Sequence, residues 1–471
     1  MSETRGKDEL ARHLSAFEQQ HLLDFWHELE PEAQDALRAQ IEQLDLELLH
    51  RLIHAEESGE DWAELARRAL APPAFRLGEP QPAHSPEQAE QAGLESLTSG
   101  HVGVILVAGG QGSRLGFEHP KGMYGIGPVS GASLFQILLE KIAARARVAQ
   151  LRIPLYLMTS PATHAETLEY LAAKEYFGLP SEDVKIFCQG TMPAVDAATG
   201  RVLLAGKAQL ALSPDGHGGT LRAFAASGCL ADARTRGLRQ LFYCQVDNPL
   251  VEMCDPRFLG YHLLSASELS TQVVAKRQPR ERVGNVVSID GKLRILEYSD
   301  LNPLGDEIVL RTTSSGEPIF WAGNTAVHVF ELTFLERMAA GDTALPFHVA
   351  KKVVHHVDPE GQKVEPAEPN AVKFERFIFD LLPEAHQSIV VEVDAARTFA
   401  PVKNAPGEAF DSPETVQRQM IALHAEWLRS AGCDVAEGVP VEISPLFAQN
   451  AEEVAAQIRP GMAVTEPRYF W

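Results

Sequence analysis

Cysteine is scarce in this chain. The 471 residues include five, Cys188, Cys229, Cys244, Cys254 and Cys433, and no two of them form a CxxC pair. An odd count with that spacing excludes a disulfide framework and a cysteine zinc site, and it predicts a reducing compartment, the cytoplasm. Basic residues are also few. Lysine and arginine number 42 against 64 acidic residues, a formal charge of −22. That balance argues against a nucleic-acid-binding surface. It leaves room for a small phosphorylated ligand, which a few lysines and backbone amides in one cleft can hold. No apolar run approaches the roughly 18 residues of a membrane-spanning helix. The first residues, with Glu3, Asp8 and Glu9, lack the apolar centre of a signal peptide. What the chain does have is an ordinary globular composition, 45% hydrophobic and 23% charged, over a length that suits about two to four domains.

Three segments follow from patterning. Residues 1–98 read as a helical region that ends in a linker. Leu10, Leu14, Phe17, His21 and Phe25 recur at near-helical spacing, and so do Leu37, Ile41, Leu44 and Leu48 after Pro31. Pro72, Pro73, Pro80, Pro82 and Pro86 then oppose regular structure. Over 99–385, short apolar runs (Val102 to Val107, Leu155 to Met158, Leu241 to Val246, Gln272 to Ala275) alternate with amphipathic stretches such as Leu134 to Ile142 and 165–174. Such alternation predicts an α/β domain with a mostly parallel sheet between helices. Residues 386–471 read as a smaller mixed domain, with a strand at Ser388 to Val393, a helix over 413–431 and a solvated helix at 451–457.

The sharpest local feature is VAGGQGSRLGFEHPKGMYG at 107–125, directly after an apolar run. Gly109, Gly110 and Gly112 let backbone amides approach a ligand, and Arg114 and Lys121 follow in the same stretch. Amides plus two cations make a coherent triphosphate cradle. The dinucleotide fingerprint fails because Leu115 stands where its third glycine is needed. The P-loop fails because Lys121 precedes Gly122 and no hydroxyl residue follows. Asp247, closing the strand 241–246, can hold magnesium or cap a turn; both readings stand on the residues alone. His355, His356 and Asp358 have metal-ligand composition, but a strand and turn there would separate the two imidazoles.

The stretch from Ala108 to Gly116, continued by Pro120 to Tyr124, resembles the signature of the eukaryotic UDP-N-acetylglucosamine pyrophosphorylases. That group lies within the UTP–sugar-1-phosphate uridylyltransferase family. Further matches run in unbroken order over about residues 100–445. They include Met158-Thr159-Ser160, Gln189-Gly190, Pro214 to Gly219, Val246-Asp247-Asn248, Glu297-Tyr298-Ser299, Ala322-Gly323-Asn324, Lys373-Phe374-Glu375 and Pro401 to Asn404.

The resemblance implies a Rossmann-like nucleotidyltransferase core of the GT-A type and the reaction UTP + sugar 1-phosphate ⇌ UDP-sugar + pyrophosphate, with Mg2+. It implies that Arg114, Lys121 and Lys403 neutralise phosphates during catalysis. Ala108, Gly109, Gly110, Gln189, Gly216, Gly218, Asp247 and Lys373 would line the nucleotide, Gln189 facing uracil, with Asp247 also the metal ligand. The sugar side would comprise His217, Gly284, Glu297, Tyr298, Asn324 and Lys403. Two positions depart from the family pattern: His217 replaces an asparagine, and Ala371 a glycine. The expected acceptor is N-acetylglucosamine 1-phosphate, with glucose or galactose 1-phosphate as the alternative; a non-catalytic nucleotide-sugar-binding regulator is a second alternative. Gln111 and Arg114 favour the first. Neither a nucleic acid nor a membrane is expected as partner, and the oligomeric state stays open.

Overall fold

The computed structural model describes residues 2–54, 61–79, 83–341 and 345–471; Pro80 and Pro82 fall outside these. The chain divides into two compact units. One comprises Asp61–Gln189, Thr220–Thr343 and Phe379–Trp471; the other comprises Met1–Glu60, Gly190–Gly219 and Ala344–Ile378. This division cuts across the three sequence segments, because contacts between residues distant along the chain, rather than composition, define a compact unit.

The larger unit is built on a ten-stranded sheet. Its strands are β1 (Ala74–Phe75), β2 (Val102–Val107), β3 (Leu155–Thr159), β4 (Val184–Cys188), β5 (Gln240–Gln245), β6 (Leu269–Ala275), β7 (Asn285–Ile289), β8 (Lys292–Leu296), β9 (Ala322–Glu331) and β10 (Ser388–Glu392). Along the sheet the order is β1-β10-β6-β9-β5-β2-β3-β4, with β7 paired to β9 and β8 to β7. Strands β5, β2, β3 and β4 run parallel. β9 runs antiparallel to both β5 and β6. The sheet is therefore mixed and mostly parallel, as expected.

Strand direction decides where the loops gather. The carboxyl ends of β2, β3, β4, β5, β6 and β10 share one edge, and the reversed β9 brings its amino end, Ala322 to Asn324, to that edge as well. From β2 the chain proceeds outward to β3 and β4, then returns to β5 on the other side of β2. Such a reversal opens a crevice between the two loops that leave β2 and β5.

The proline-rich stretch is more ordered than its composition predicts. Ala74–Phe75 pairs in parallel with Val390 and Val391. Ser85 caps a helix over Pro86–Thr98 in a capping box with Gln88, and Pro86 occupies the first turn, where its missing N–H costs nothing. Pairing and capping here override a composition that reads as linker. That helix packs against Pro256–Leu264 at glycines: a Cβ on Gly93 would lie 1.8 Å from the Pro256 carbonyl oxygen, and one on Gly260 1.6 Å from that of Ala89.

At the chain's end, Pro413–Ser430 packs on two short parallel ladders, Asp434–Val435 with Ala463–Val464 and Val441–Ile443 with Arg468–Phe470. The helix Ala451–Gln457 is not simply solvated, since Val454 is buried among Leu428, Val441 and Val464. Strand β10 lies inside the large sheet, so the segment beginning at residue 386 starts within that sheet.

In the smaller unit the first helix ends at Ser15, short of Phe17, His21 and Phe25, and Glu18 takes a positive φ of 60°. The second stripe splits into Pro31–Glu42 and Leu46–His54, because Asp45 accepts a hydrogen bond from the Leu48 N–H and starts a new helix. Leu14, Leu37, Ile41, Leu46 and Leu49 pack against Val195, Val202, Leu210 and Phe374. Within this unit an antiparallel sheet joins His348–Lys352, Ala371–Glu375 and Val195–Asp196. His356 starts a two-residue strand, and among the described residues no group of three His, Cys, Asp or Glu is placed to hold a metal.

The glycine contact between helices yields a stability prediction. Gly260→Ala should lower unfolding free energy by about 2 kcal/mol or more, the cost of overpacking where the neighbour is backbone. Urea denaturation followed by circular dichroism measures it, and an unchanged midpoint would contradict the packing.

Candidate active site

The loop after β2 is fastened from several sides. Lys121 N–H donates to the Gly110 carbonyl and Gly112 N–H to the His119 carbonyl, so the segment folds back on itself. Ser160, just beyond β3, donates its hydroxyl to the Gly109 carbonyl at 2.7 Å. Gln189 leaves β4 and is buried beside Gly109: a Cβ there would lie 3.2 Å from its Nε2. Gly110 faces open space. Lys121 opens a short 3-10 turn whose next residue, Gly122, sits on the Phe135 ring, with room for no Cβ (2.3 Å).

The crevice between β2 and β5 brings charges together. Lys121 Nζ lies 3.9 Å from Asp247 Oδ2 and donates to the Val402 carbonyl at 2.9 Å. Val402 N–H in turn donates to the Asp247 carbonyl at 2.9 Å, and Lys403 follows directly. Burial pushes the Lys121 ammonium below the ordinary lysine range. Asp247 pulls it back up, while Lys403 and Arg114 push it further down. Lys121, Asp247, Lys403 and the exposed Arg114 thus share one electrostatic neighbourhood. Among the described residues no hydrogen bond reaches the Asp247 carboxylate. A single acidic side chain suits a hard cation that takes its other ligands from phosphate and water, not a closed protein cage.

A second cluster forms at the same sheet edge. Asn324 N–H donates to the Gly284 carbonyl at 2.8 Å. A Cβ on Gly284 would lie 2.8 Å from Glu297 Oε1 and 3.7 Å from the Asn324 Cβ, so these three side-chain positions converge. Tyr298 starts the adjacent helical turn and is 36% exposed.

The smaller unit holds Gly216, His217, Gly218 and Lys373. The close approach that Gly216 and Gly218 permit is to their own unit's backbone, with Cβ positions 2.4 Å from the Arg376 carbonyl oxygen and 2.6 Å from Phe377 N. His217 stacks on Phe377 (5.2 Å) and accepts at Nδ1 from the Ile378 N–H. Burial, with His348 adding to it, pushes the imidazole down to about 4, so it stays neutral near pH 7. Lys373 lies on Ala371–Glu375, opposite Ala350.

A family model described as UTP–glucose-1-phosphate uridylyltransferase matches residues 75–413. The chain belongs to this family. A UDP-N-acetylglucosamine pyrophosphorylase of Saccharomyces cerevisiae is 37% identical over 370 residues, 77% of each chain. UDP-N-acetylglucosamine diphosphorylase 2 of Arabidopsis thaliana is 34% identical over 471 residues, covering 96% of this chain and 91% of the relative. A crystal structure of the UDP-N-acetylglucosamine pyrophosphorylase from Trypanosoma brucei in complex with an inhibitor has a TM-score of 0.78 at 25% identity and 98% coverage of each chain.

Two site-building residues carry no role in the sequence reading although they stand in matched motifs. Ser160 fastens the Gly109 turn. Asn248 accepts at Oδ1 from the Ala400 N–H and donates from Nδ2 to the Thr398 carbonyl, tying the approach to Lys403 onto the turn after β5. Their partners are distant in sequence, so only the motif match marked them.

Removing the Ser160 hydroxyl tests that fastening. Ser160→Ala should speed hydrogen exchange at Gly110 to Gly112 while costing only about 1 kcal/mol of global stability, the usual worth of one hydrogen bond. Hydrogen-exchange mass spectrometry reads both.

Proposed function

We propose that this chain transfers the uridylyl group of UTP to a sugar 1-phosphate, N-acetylglucosamine 1-phosphate before others, releasing pyrophosphate. The observation that carries the reading is the cluster of Lys121, Asp247 and the Val402–Lys403 backbone at the crevice, beside the glycine turn after β2. The names of the yeast and Arabidopsis relatives support the N-acetylated sugar.

A phosphate oxygen of the sugar 1-phosphate attacks the α-phosphorus of UTP in line with the departing pyrophosphate. Both reactants are anions, so the protein's task is to suppress repulsion and to meet charge that grows in the transition state. Arg114 can grip two phosphate oxygens at once, whereas Lys121 and Lys403 act as point charges. Gln189 offers an amide donor and acceptor beside the Gly109 turn, suited to the imide edge of uracil. The cluster of Gly284, Glu297 and Asn324 would offer a carboxylate and an amide to sugar hydroxyls, with Tyr298 next in the chain. Gly216, Gly218 and Lys373 are proposed for the nucleotide, and His217, as a neutral imidazole, for the sugar. Asp247 would hold Mg2+, which when bound shields phosphate charge as a Lewis acid. Cys229, Cys244, Cys254 and Cys433 are buried thiols, which supports a cytoplasmic setting. No helix among the described residues is long and apolar enough to cross a membrane.

The deciding experiment offers UTP and magnesium with N-acetylglucosamine, N-acetylgalactosamine, glucose and galactose 1-phosphates in turn and measures pyrophosphate. Release should be fastest with the first. Release from ATP, GTP or CTP but not UTP would overturn the reading, and a preference for glucose 1-phosphate would overturn the choice of sugar. Lys121→Ala should lower kcat by about 100-fold or more, the usual cost of removing one preorganised charge-stabilising group. Chelation with EDTA should abolish turnover, and added Mg2+ should restore it.

A further inference from the structure

The cluster at Gly284, Glu297 and Asn324 is held by two residues that the reaction scheme does not use. Lys276 follows β6, and its own N–H donates to the Trp321 carbonyl, at the entry to β9. Its side chain is half-buried, and Nζ donates to the Pro279 carbonyl and to Asn285 Oδ1, each at 2.6 Å. Asn285 is fully buried. Its Nδ2 donates to the Val283 carbonyl at 3.2 Å and to the Leu296 carbonyl at 3.3 Å. Val283 precedes Gly284 by one residue and Leu296 precedes Glu297 by one. Asn285 also stands opposite Gly323, the residue before Asn324, in the ladder between β7 and β9. The Asn285 amide therefore bonds the backbone beside Gly284 and Glu297, its main chain pairs beside Asn324, and the Lys276 ammonium ties that amide to the Pro279 carbonyl.

The strap between Lys276 and Gly284 is closed on itself as well. Glu281 accepts from Arg277 N–H at 2.8 Å and from its guanidinium at 2.7 and 3.0 Å. Burial pushes the Lys276 ammonium down to about 8, against an opposing pull from Glu281. An exposed solvated lysine would carry no such cost and would leave Asn285 Oδ1 without this donor. A buried amide that loses one partner pays the desolvation of the group left behind.

We propose that Lys276 and Asn285 act as one positioning unit for the sugar pocket, fixing Gly284, Glu297 and Asn324 in the mutual register that sugar binding requires. This rests on the sugar-side reading given above. Among the described residues neither side chain bonds to those around Lys121, so loss of the unit should be felt by the sugar phosphate and not by UTP.

The test compares KM and kcat of Lys276→Met, Asn285→Ala and the double variant with UTP and N-acetylglucosamine 1-phosphate. Each single change should raise KM for the sugar phosphate about 10-fold and leave KM for UTP within about 2-fold, the signature of lost binding at one subsite. The double variant should be little worse than either single one, as for residues that act together. Lys276→Gln, which keeps one donor, should fall between wild type and Lys276→Met, and it serves as the readable variant where the methionine destabilises the fold. A parallel rise in both KM values, a loss confined to thermal stability, or independent effects that multiply in the double variant would each overturn the proposal. Glu297→Gln separates the two levels. If it leaves the sugar-phosphate KM unchanged, the sugar-side reading itself fails. If it raises that KM while the Lys276 and Asn285 variants do not, only the positioning role fails.

Discussion

A lysine ammonium kept largely out of water, one carboxylate 3.9 Å away, and two further cations in range make an arrangement that a protein does not assemble for stability. The desolvation of Lys121 and the repulsion from Lys403 and Arg114 both oppose its charge, and Asp247 offsets only part. The site is short of negative charge in a molecule that carries an excess of it. In the proposed reaction polyphosphate supplies what is missing, and a buried cation would interact with it more strongly than a solvated one. The acidic remainder of the surface then keeps the positive potential local.

That cluster depends on sheet topology. The turn after β2 and the turn after β5 face each other only because the chain reverses its direction of travel across the sheet between them. The antiparallel β9 matters for a similar reason, since its amino end brings Asn324 to the edge where the parallel strands end. A parallel strand in that place would put Asn324 at the opposite edge. The proposed phosphate and sugar subsites thus share an edge through strand direction, while their immediate supports differ: Ser160 and Asn248 at the first, Lys276 and Asn285 at the second. Ser160 and Asn248 satisfy backbone groups far along the chain, whereas Lys276 and Asn285 satisfy groups within the same strap and hairpin.

Where the sequence was misread, tertiary contacts had overruled local preference. Ala74–Phe75 sits among prolines, yet it pairs with Val390 and Val391 because β10 presents an open edge there. The apolar stripe from Leu10 to Phe25 keeps near-helical spacing, but the helix stops at Ser15 and a positive φ at Glu18 redirects the chain. Periodicity reports which residues seek the core, and it says less about whether one continuous helix delivers them. The glycines at 216 and 218 add a packing role that no local pattern reveals: their missing Cβ atoms accommodate Arg376 and Phe377, residues that lie far along the chain.

Short-range chemistry was fully legible in the chain itself. The turn-forming glycines, the cations that follow them and the apolar strand just before Asp247 are local patterns, and local patterns are written in consecutive residues. The order of motifs also carried the family. Proximity was not legible: that Lys121 meets Asp247 and the Val402 carbonyl, that Gln189 lies against Gly109, and that the half-buried Lys276 reaches the Asn285 amide. Those contacts arise from strand order and direction, and these are settled by packing the whole sheet rather than by any segment of it.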